Sequence, residues 1–208
     1  MSALALSPHF APYGALTLLR RLAAAMLLAV LAACSTSPET TPAKFRVDNG
    51  GIGDLTAATP FDTRTIQRLF PGLTVTRQSF AVEGVAQPYI SVSEGAETLF
   101  DIYADENGQR VASVMVMSRR LADTRGVRIG ALFSSIYGRS LPVNCLPGWS
   151  GMRGRVFCPS PSAPNLVYVF SGPGAPAAPE IEWALPPVEQ LRNWQVTQIV
   201  WSNPSLTS

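Results

Sequence analysis

From Leu73 onward the chain changes period. Four stretches, LTVTRQSFAV (73–82), PYISVSE (88–94), ETLFDIYAD (97–105) and QRVASVMVMS (109–118), alternate apolar and polar residues. Successive side chains of a strand point to opposite faces, so this alternation buries one face and wets the other. Glu83-Gly84, Glu94-Gly95 and Asn107-Gly108 separate the stretches. Turns at intervals of about ten residues leave no room for the crossover that parallel strands need, and they argue for an antiparallel meander. Asn107-Gly108 is the clearest hairpin signal.

The flanking segments add small helices. In GGIGDLTAATPFDTRTIQRLFPG (50–72), Thr59 reads as an N-cap with Pro60 at the first helical position. Phe61, Thr65, Ile66 and Leu69 then keep helical spacing until Pro71 stops the run. GVRIGALFSSIYG (126–138) reads as a strand end, a tight turn at Gly130 and a short helix to Tyr137. RVFCPSP and LVYVFSG are two more strands, the segment from Gly172 is a proline-rich loop, VEQLRNW is a short helix and QVTQIVWS a last strand. No internal repeat is evident. The predicted class is α+β, mainly an antiparallel β-sheet meander with two or three short helices on one side.

Ahead of this body stands RRLAAAMLLAVLAACSTSPETTP (20–42). Its uncharged run from Leu22 to Ala33 spans roughly 18 Å as a helix, short of a hydrocarbon core of about 30 Å. A basic start, a short apolar centre and small residues at the end make a secretory signal peptide. Leu31-Ala32-Ala33-Cys34 resembles the lipobox of bacterial lipoproteins, which implies that Cys34 is the lipid attachment site and the mature amino terminus. An ordinary leader with a chance cysteine is the alternative. Ser35, in place of an aspartate, implies transfer to the outer membrane. Arg20-Arg21 lacks the neighbours of a twin-arginine signal. The stretch before Arg20 is long for a signal n-region, which leaves the translation start open. The expected organisation is a leader over 1–33, a lipid-anchored tether over 34–44 without a large apolar residue, and a single globular domain over 45–208.

Loss of the leader changes the available chemistry. Without Arg20 and Arg21 the 16 basic residues fall to 14, equal to the 14 acidic ones. A near-neutral domain argues against a nucleic-acid partner, which needs a basic face. The one histidine, His9, departs too, and the one lysine, Lys44, lies in the tether. Ser-His-Asp and Cys-His catalysis and most zinc sites need an imidazole. No catalytic residue, metal site or cofactor is therefore expected. Cys145 and Cys158, thirteen residues apart, read as a disulfide in an oxidising compartment, with free thiols as the alternative.

Other motifs favour plain readings. Gly51-Ile52-Gly53 lacks the third glycine of a dinucleotide fingerprint and reads as a turn. YADENGQ (103–109) lacks carboxylates where a calcium loop needs them and reads as a hairpin. No GxSxG or Ser-x-x-Lys occurs. Glu180 with Glu182, or Asp101 with Asp123, are the carboxylate pairs a glycosidase-like mechanism would need. Trp194 and Trp201 fall in apolar helix and strand patterns and read as core, whereas Trp149 and Trp183 sit in loops and are the candidate contact residues. Arg119, Arg120, Arg125 and Arg128 read as a solvated basic face.

GIGDLTAATPF (51–61), DTRGVRIGALFSSIYG (123–138), the pair Cys145 and Cys158, and NWQVTQIVW (193–201) together resemble the sigma-E-regulated lipoproteins of Gram-negative envelopes, a group of unknown molecular function. The resemblance runs in order through most of the domain. It implies an outer-membrane lipoprotein tied to envelope stress and supplies no catalytic residues. The chain departs from the pattern in its long leader, in residues 172–187 and beyond Trp201. The expected function is a non-catalytic binding or structural protein, membrane-attached through its lipid, facing the periplasm, with an envelope protein or glycan as partner. A carboxylate-dependent glycan hydrolase and a carrier of a small apolar or lipid ligand are the alternatives.

Overall fold

The computed structural model describes residues 46–204 apart from 141, 143, 149 and 176–184, all within one compact unit spanning 41–208. In chain order the elements are β1 (Arg46–Asp48), β2 (Gly51–Ile52), β3 (Leu55–Thr56), α1 (Thr63–Leu69), β4 (Thr74–Val82), β5 (Val85–Glu94), β6 (Glu97–Ala104) and β7 (Val111–Val116). They continue with β8 (Ala122–Asp123), α2 (Phe133–Tyr137), β9 (Leu146–Pro147), β10 (Val156–Pro159), β11 (Leu166–Ser171), α3 (Val188–Leu191) and β12 (Gln195–Ser202). Eight strands form one antiparallel sheet in the order β4-β5-β6-β7-β12-β11-β10-β9. The α+β class, mainly antiparallel sheet with short helices, holds.

Register explains why the alternating stretches pair as they do. Ile90, Ile102, Val114, Trp201 and Leu166 form one cross-strand row, and Val92, Phe100, Val116, Ile199, Tyr168 and Cys158 form the next. Every member of both rows is buried. A slip of one residue would turn both rows to solvent, which pins the pairing. Phe70, at the end of α1, packs edge-on against Phe100 with ring centroids 5.1 Å apart. Trp194 and Trp201 are fully buried, as their patterns predict. Each indole finds an acceptor: Trp201 Nε1 donates to the Asn49 carbonyl at 3.1 Å, and Trp194 Nε1 to the Pro173 carbonyl at 3.1 Å.

Two expectations are corrected. Thr59 is not the cap of α1. Its N–H donates to the Thr56 carbonyl at 3.0 Å, its own carbonyl accepts from Val111 N at 3.1 Å beside the β6–β7 turn, and Pro60 bridges Arg110. A residue before proline is pushed out of the helical region, so the chain stays extended there. The cap is Asp62, whose Oδ1 accepts from Thr65 N at 2.9 Å. The second correction is a separate small sheet, β3-β2-β1-β8, in which β1 and β8 run parallel. Val47, Ile52 and Leu55 from this sheet enter the core.

Candidate functional site

The outer face of the eight-stranded sheet carries the rows between the buried ones. Tyr89 faces Tyr103, and Ser91, Asp101, Met115, Val200 and Val167 follow in line. At the β4 end of this face three aromatic rings meet. Tyr89 and Tyr103 stack with centroids 5.9 Å apart, and Phe80 sets its edge against both at 5.9 and 6.2 Å. Such contacts add to the apolar area the rings bury.

Beyond Tyr89 the β5–β6 ladder stops, while the β4–β5 ladder runs on to Val82 and Val85. The end of this hairpin is therefore a two-stranded ribbon that leaves the sheet. Phe80, Val82 and Val85 are 44, 45 and 60% exposed on it. Glu83 and Gly84 close the ribbon, both with positive φ, as a type I′ turn requires. Between the ribbon and the β6–β7 turn lies a cleft of about 210 Å³, lined by Phe80, Gln87, Pro88, Tyr103, Asp105 and Glu106 among others. Asp105 is already engaged: its Oδ1 accepts from Gln109 N at 2.8 Å and Arg110 N at 3.2 Å, which fixes the Asn107-Gly108 hairpin.

Behind the rings, Asp101 is buried and its Oδ1 has no hydrogen-bond partner. Burial raises its pKa above the ordinary carboxylate value, and the Ser91 hydroxyl opposes that rise. The Tyr103 phenol is pushed up to about 12 by burial first, then by the Asp101 charge and by Tyr89. At neutral pH the corner thus presents Tyr103 as a neutral donor.

Asp101 and Asp123, paired as candidate carboxylates in the sequence, have separate partners. Asp123, on β8, accepts from Arg125 N at 2.9 Å and Val127 N at 2.8 Å through Oδ1, and from the Tyr168 hydroxyl through Oδ2. Ser160 Oγ lies 2.9 Å from that same hydroxyl. This buried network ties the small sheet to β10 and β11, and it holds the turn that opens the DTRGVRIG stretch. Burial and the Asp123 hydrogen bond push the Tyr168 phenol well above its usual range, keeping it protonated as the donor. Within the arginine cluster Arg120 pairs with Glu94, Arg128 Nη1 donates to the carbonyls of Arg119 at 3.2 Å and Arg120 at 3.3 Å, and Arg119, Arg120 and Arg125 are exposed. Cys145 and Cys158 are joined in a disulfide. Among the described residues no group of three or more metal-ligating side chains converges, and no helix is long and apolar enough to cross a membrane. Cys34, the tether, Trp149, Trp183, Glu180 and Glu182 lie outside the described residues.

Motif reading missed the aromatic corner. The signal was present as register: pairing outward from the two-residue turn Glu83-Gly84 sets Phe80 and Tyr89 on the wet face. The model of a family described as protein of unknown function (DUF1131) matches residues 36–203. The chain belongs to the DUF1131 family. It is 25% identical over 162 residues to the uncharacterized protein YfeY of Escherichia coli (strain K12), covering 75% of this chain and 78% of that one. The crystal structure of YfeY superposes with a TM-score of 0.60 at 24% identity, covering 76% of this chain and 99% of that chain, a likeness of fold. In DUF1131 terms, the match takes in the aromatic ribbon, the Asp123 network and the disulfide.

Proposed function

We propose that this DUF1131 protein is a non-catalytic binding protein of the cell envelope. It is anchored by lipid on Cys34 to the outer membrane, faces the periplasm, and meets its partner with the aromatic ribbon of β4 and β5. The reading takes 1–33 as leader, 34–44 as tether and 45–208 as the binding domain. The observation that carries it is the exposed apolar surface of Phe80, Val82 and Val85, backed by the stacked tyrosines. Scattered apolar residues are ordinary on a surface, but a contiguous set on a projecting ribbon marks a contact. The mixed rings and amide groups favour a protein partner over a lipid. Production under envelope stress belongs to the same proposal, through the resemblance of residues 51–61, 123–138 and 193–201 to sigma-E-regulated lipoproteins.

A photo-crosslinking residue at Val85, in the full chain expressed in intact cells, tests this. Glu189, exposed on α3, serves as the control position. The expected result is a protein adduct at Val85 that Glu189 does not give. Adducts with lipid alone or glycan alone would favour the carrier or hydrolase alternatives instead.

A further inference from the structure

β4 is the terminal strand of the eight-stranded sheet, nine residues long and exposed over almost its whole length. The parity of its hairpin decides which backbone groups are spare. In a two-residue hairpin the flanking residues, here Val82 and Val85, exchange both of their N–H···O bonds. Alternation then points Phe80, Gln78 and Thr76 toward β5 and turns the N–H and C=O of Ala81, Ser79 and Arg77 outward. Pro88 fits this scheme: it stands opposite Ser79, at a position where no N–H is owed to β4. Among the described residues no backbone hydrogen bond from another element reaches β4.

Open edges invite a further strand, and proteins usually blunt them with lysine, proline or a bulge. β4 contains neither lysine nor proline, and its ladder with β5 has no register shift. The opposite edge of the sheet, β9, is two residues long and offers no such template.

We propose that β4 pairs antiparallel with β4 of a second copy of this chain, about a twofold axis through Phe80. Charge selects this occupant and this register. Centred on Gln78, the pairing sets Arg77 diagonal to Arg77 of the second copy. Centred on Ser79, it leaves Arg77 facing Ala81. Centred on Phe80, it brings Arg77, whose guanidinium lies over the Phe61 ring at 5.3 Å, alongside the turn residue Glu83 of the second copy just past the end of the ladder, and symmetry repeats the pair. The same register faces Phe80 with Phe80, and lets Ser79 and Ala81 exchange backbone bonds. Opposite charges and aromatic pairs directly across a ladder are the stabilising combinations, and like charges the destabilising ones. The inference rests on the ribbon being a contact element, and anchoring in one leaflet would raise the effective concentration of the two copies.

The test uses the full chain extracted in mild detergent and followed by sedimentation. Wild type is expected to dimerise. Glu83→Arg and Arg77→Glu are each expected to weaken dimerisation by about tenfold, and the double exchange to restore it to within about threefold. In oxidised cells Phe80→Cys is expected to give a disulfide-linked dimer, because residues directly opposite stand about 4.5–5.5 Å apart at Cβ. Gln78→Cys is not, because its two copies are offset by four residues, roughly 13 Å. A wild type that stays monomeric, a double exchange as weak as the single ones, or Gln78→Cys crosslinking as readily as Phe80→Cys would overturn the pairing. If the Val85 crosslink to another envelope protein persists in a monomeric wild type, the pairing falls and the binding reading stands.

Discussion

Asp101 is the residue whose position costs the fold most visibly. The outer row on which it lies is half-exposed, yet its carboxyl is covered by its neighbours and one oxygen goes unbonded. Because burial raises the folded-state pKa above the ordinary value of 3.8, the native state holds its proton where the unfolded state has lost it. Stability therefore falls as pH rises through the interval between those two values, and the whole penalty applies above it. Asp101→Asn keeps the shape and removes the charge, and Ser91 remains beside it. The variant is expected to show a higher urea midpoint than wild type at pH 7, with the gap closing toward pH 3. A gap independent of pH would mean that packing, not charge, governs the site. Loss of the Asp101 charge also removes one of the causes that raise the Tyr103 pKa, so absorbance titration of phenolate in Asp101→Asn should find Tyr103 ionising below its wild-type value of about 12.

At the scale of elements, α1 and the disulfide make separable predictions. The N–H and hydroxyl of Thr65 hold the Asp62 carboxyl below its ordinary pKa, so the cap stabilises above about pH 4 and is lost as pH falls through the depressed value. Asp62→Ala should lower the urea midpoint at pH 7, by a margin that shrinks as pH falls through the depressed value, whereas Thr59→Ala should show no such pH dependence. The bond between Cys145 and Cys158 closes a loop of thirteen residues, and on the chain-entropy model its reduction should cost about 3 kcal/mol. Denaturation with and without reductant measures this. Such elements differ in how visible they are in the sequence. β4 to β7, β11 and β12 were legible because six or more residues of alternation outvote chance, and their turns carry Gly at the positive-φ position. β1, β2, β3 and β8 were not, since two or three residues show no period and the β1–β8 pair joins Arg46 to Ala122 across the chain. The helix was legible but its cap was not: Thr59-Pro60 and Asp62 both suit an N-terminus, and only pairing with Gln109 to Val111 decides between them. The aromatic corner belongs to a third kind, spread over three strands and visible only once register is counted.

For the whole molecule the question is how the proposed membrane attachment would be made. Surface charge is a poor candidate: residues 34–208 carry 14 basic and 14 acidic residues and offer no net attraction to anionic lipid. A single acyl chain holds a protein only marginally, at about 10⁴ M⁻¹, while two or three chains add about 0.8 kcal/mol for each further buried methylene and anchor it durably. The proposed lipid on Cys34 therefore predicts attachment that salt leaves intact, since screening weakens charge-borne contacts and not burial of hydrocarbon. Labelled palmitate should enter the wild-type chain, and the protein should stay with outer-membrane fragments through a high-salt wash. Cys34→Ala should take up no label and should keep its leader, with the corresponding gain in mass. The body itself should be untouched, because both buried cross-strand rows are built from residues of β5, β6, β7, β10, β11 and β12. Label persisting in Cys34→Ala, or a wild-type Cys34 thiol open to alkylation, would remove the anchor. If the wild-type chain also proved to keep its leader, the imidazole of His9 would be retained in the working protein, and the chemical ground for expecting no catalysis would go with it.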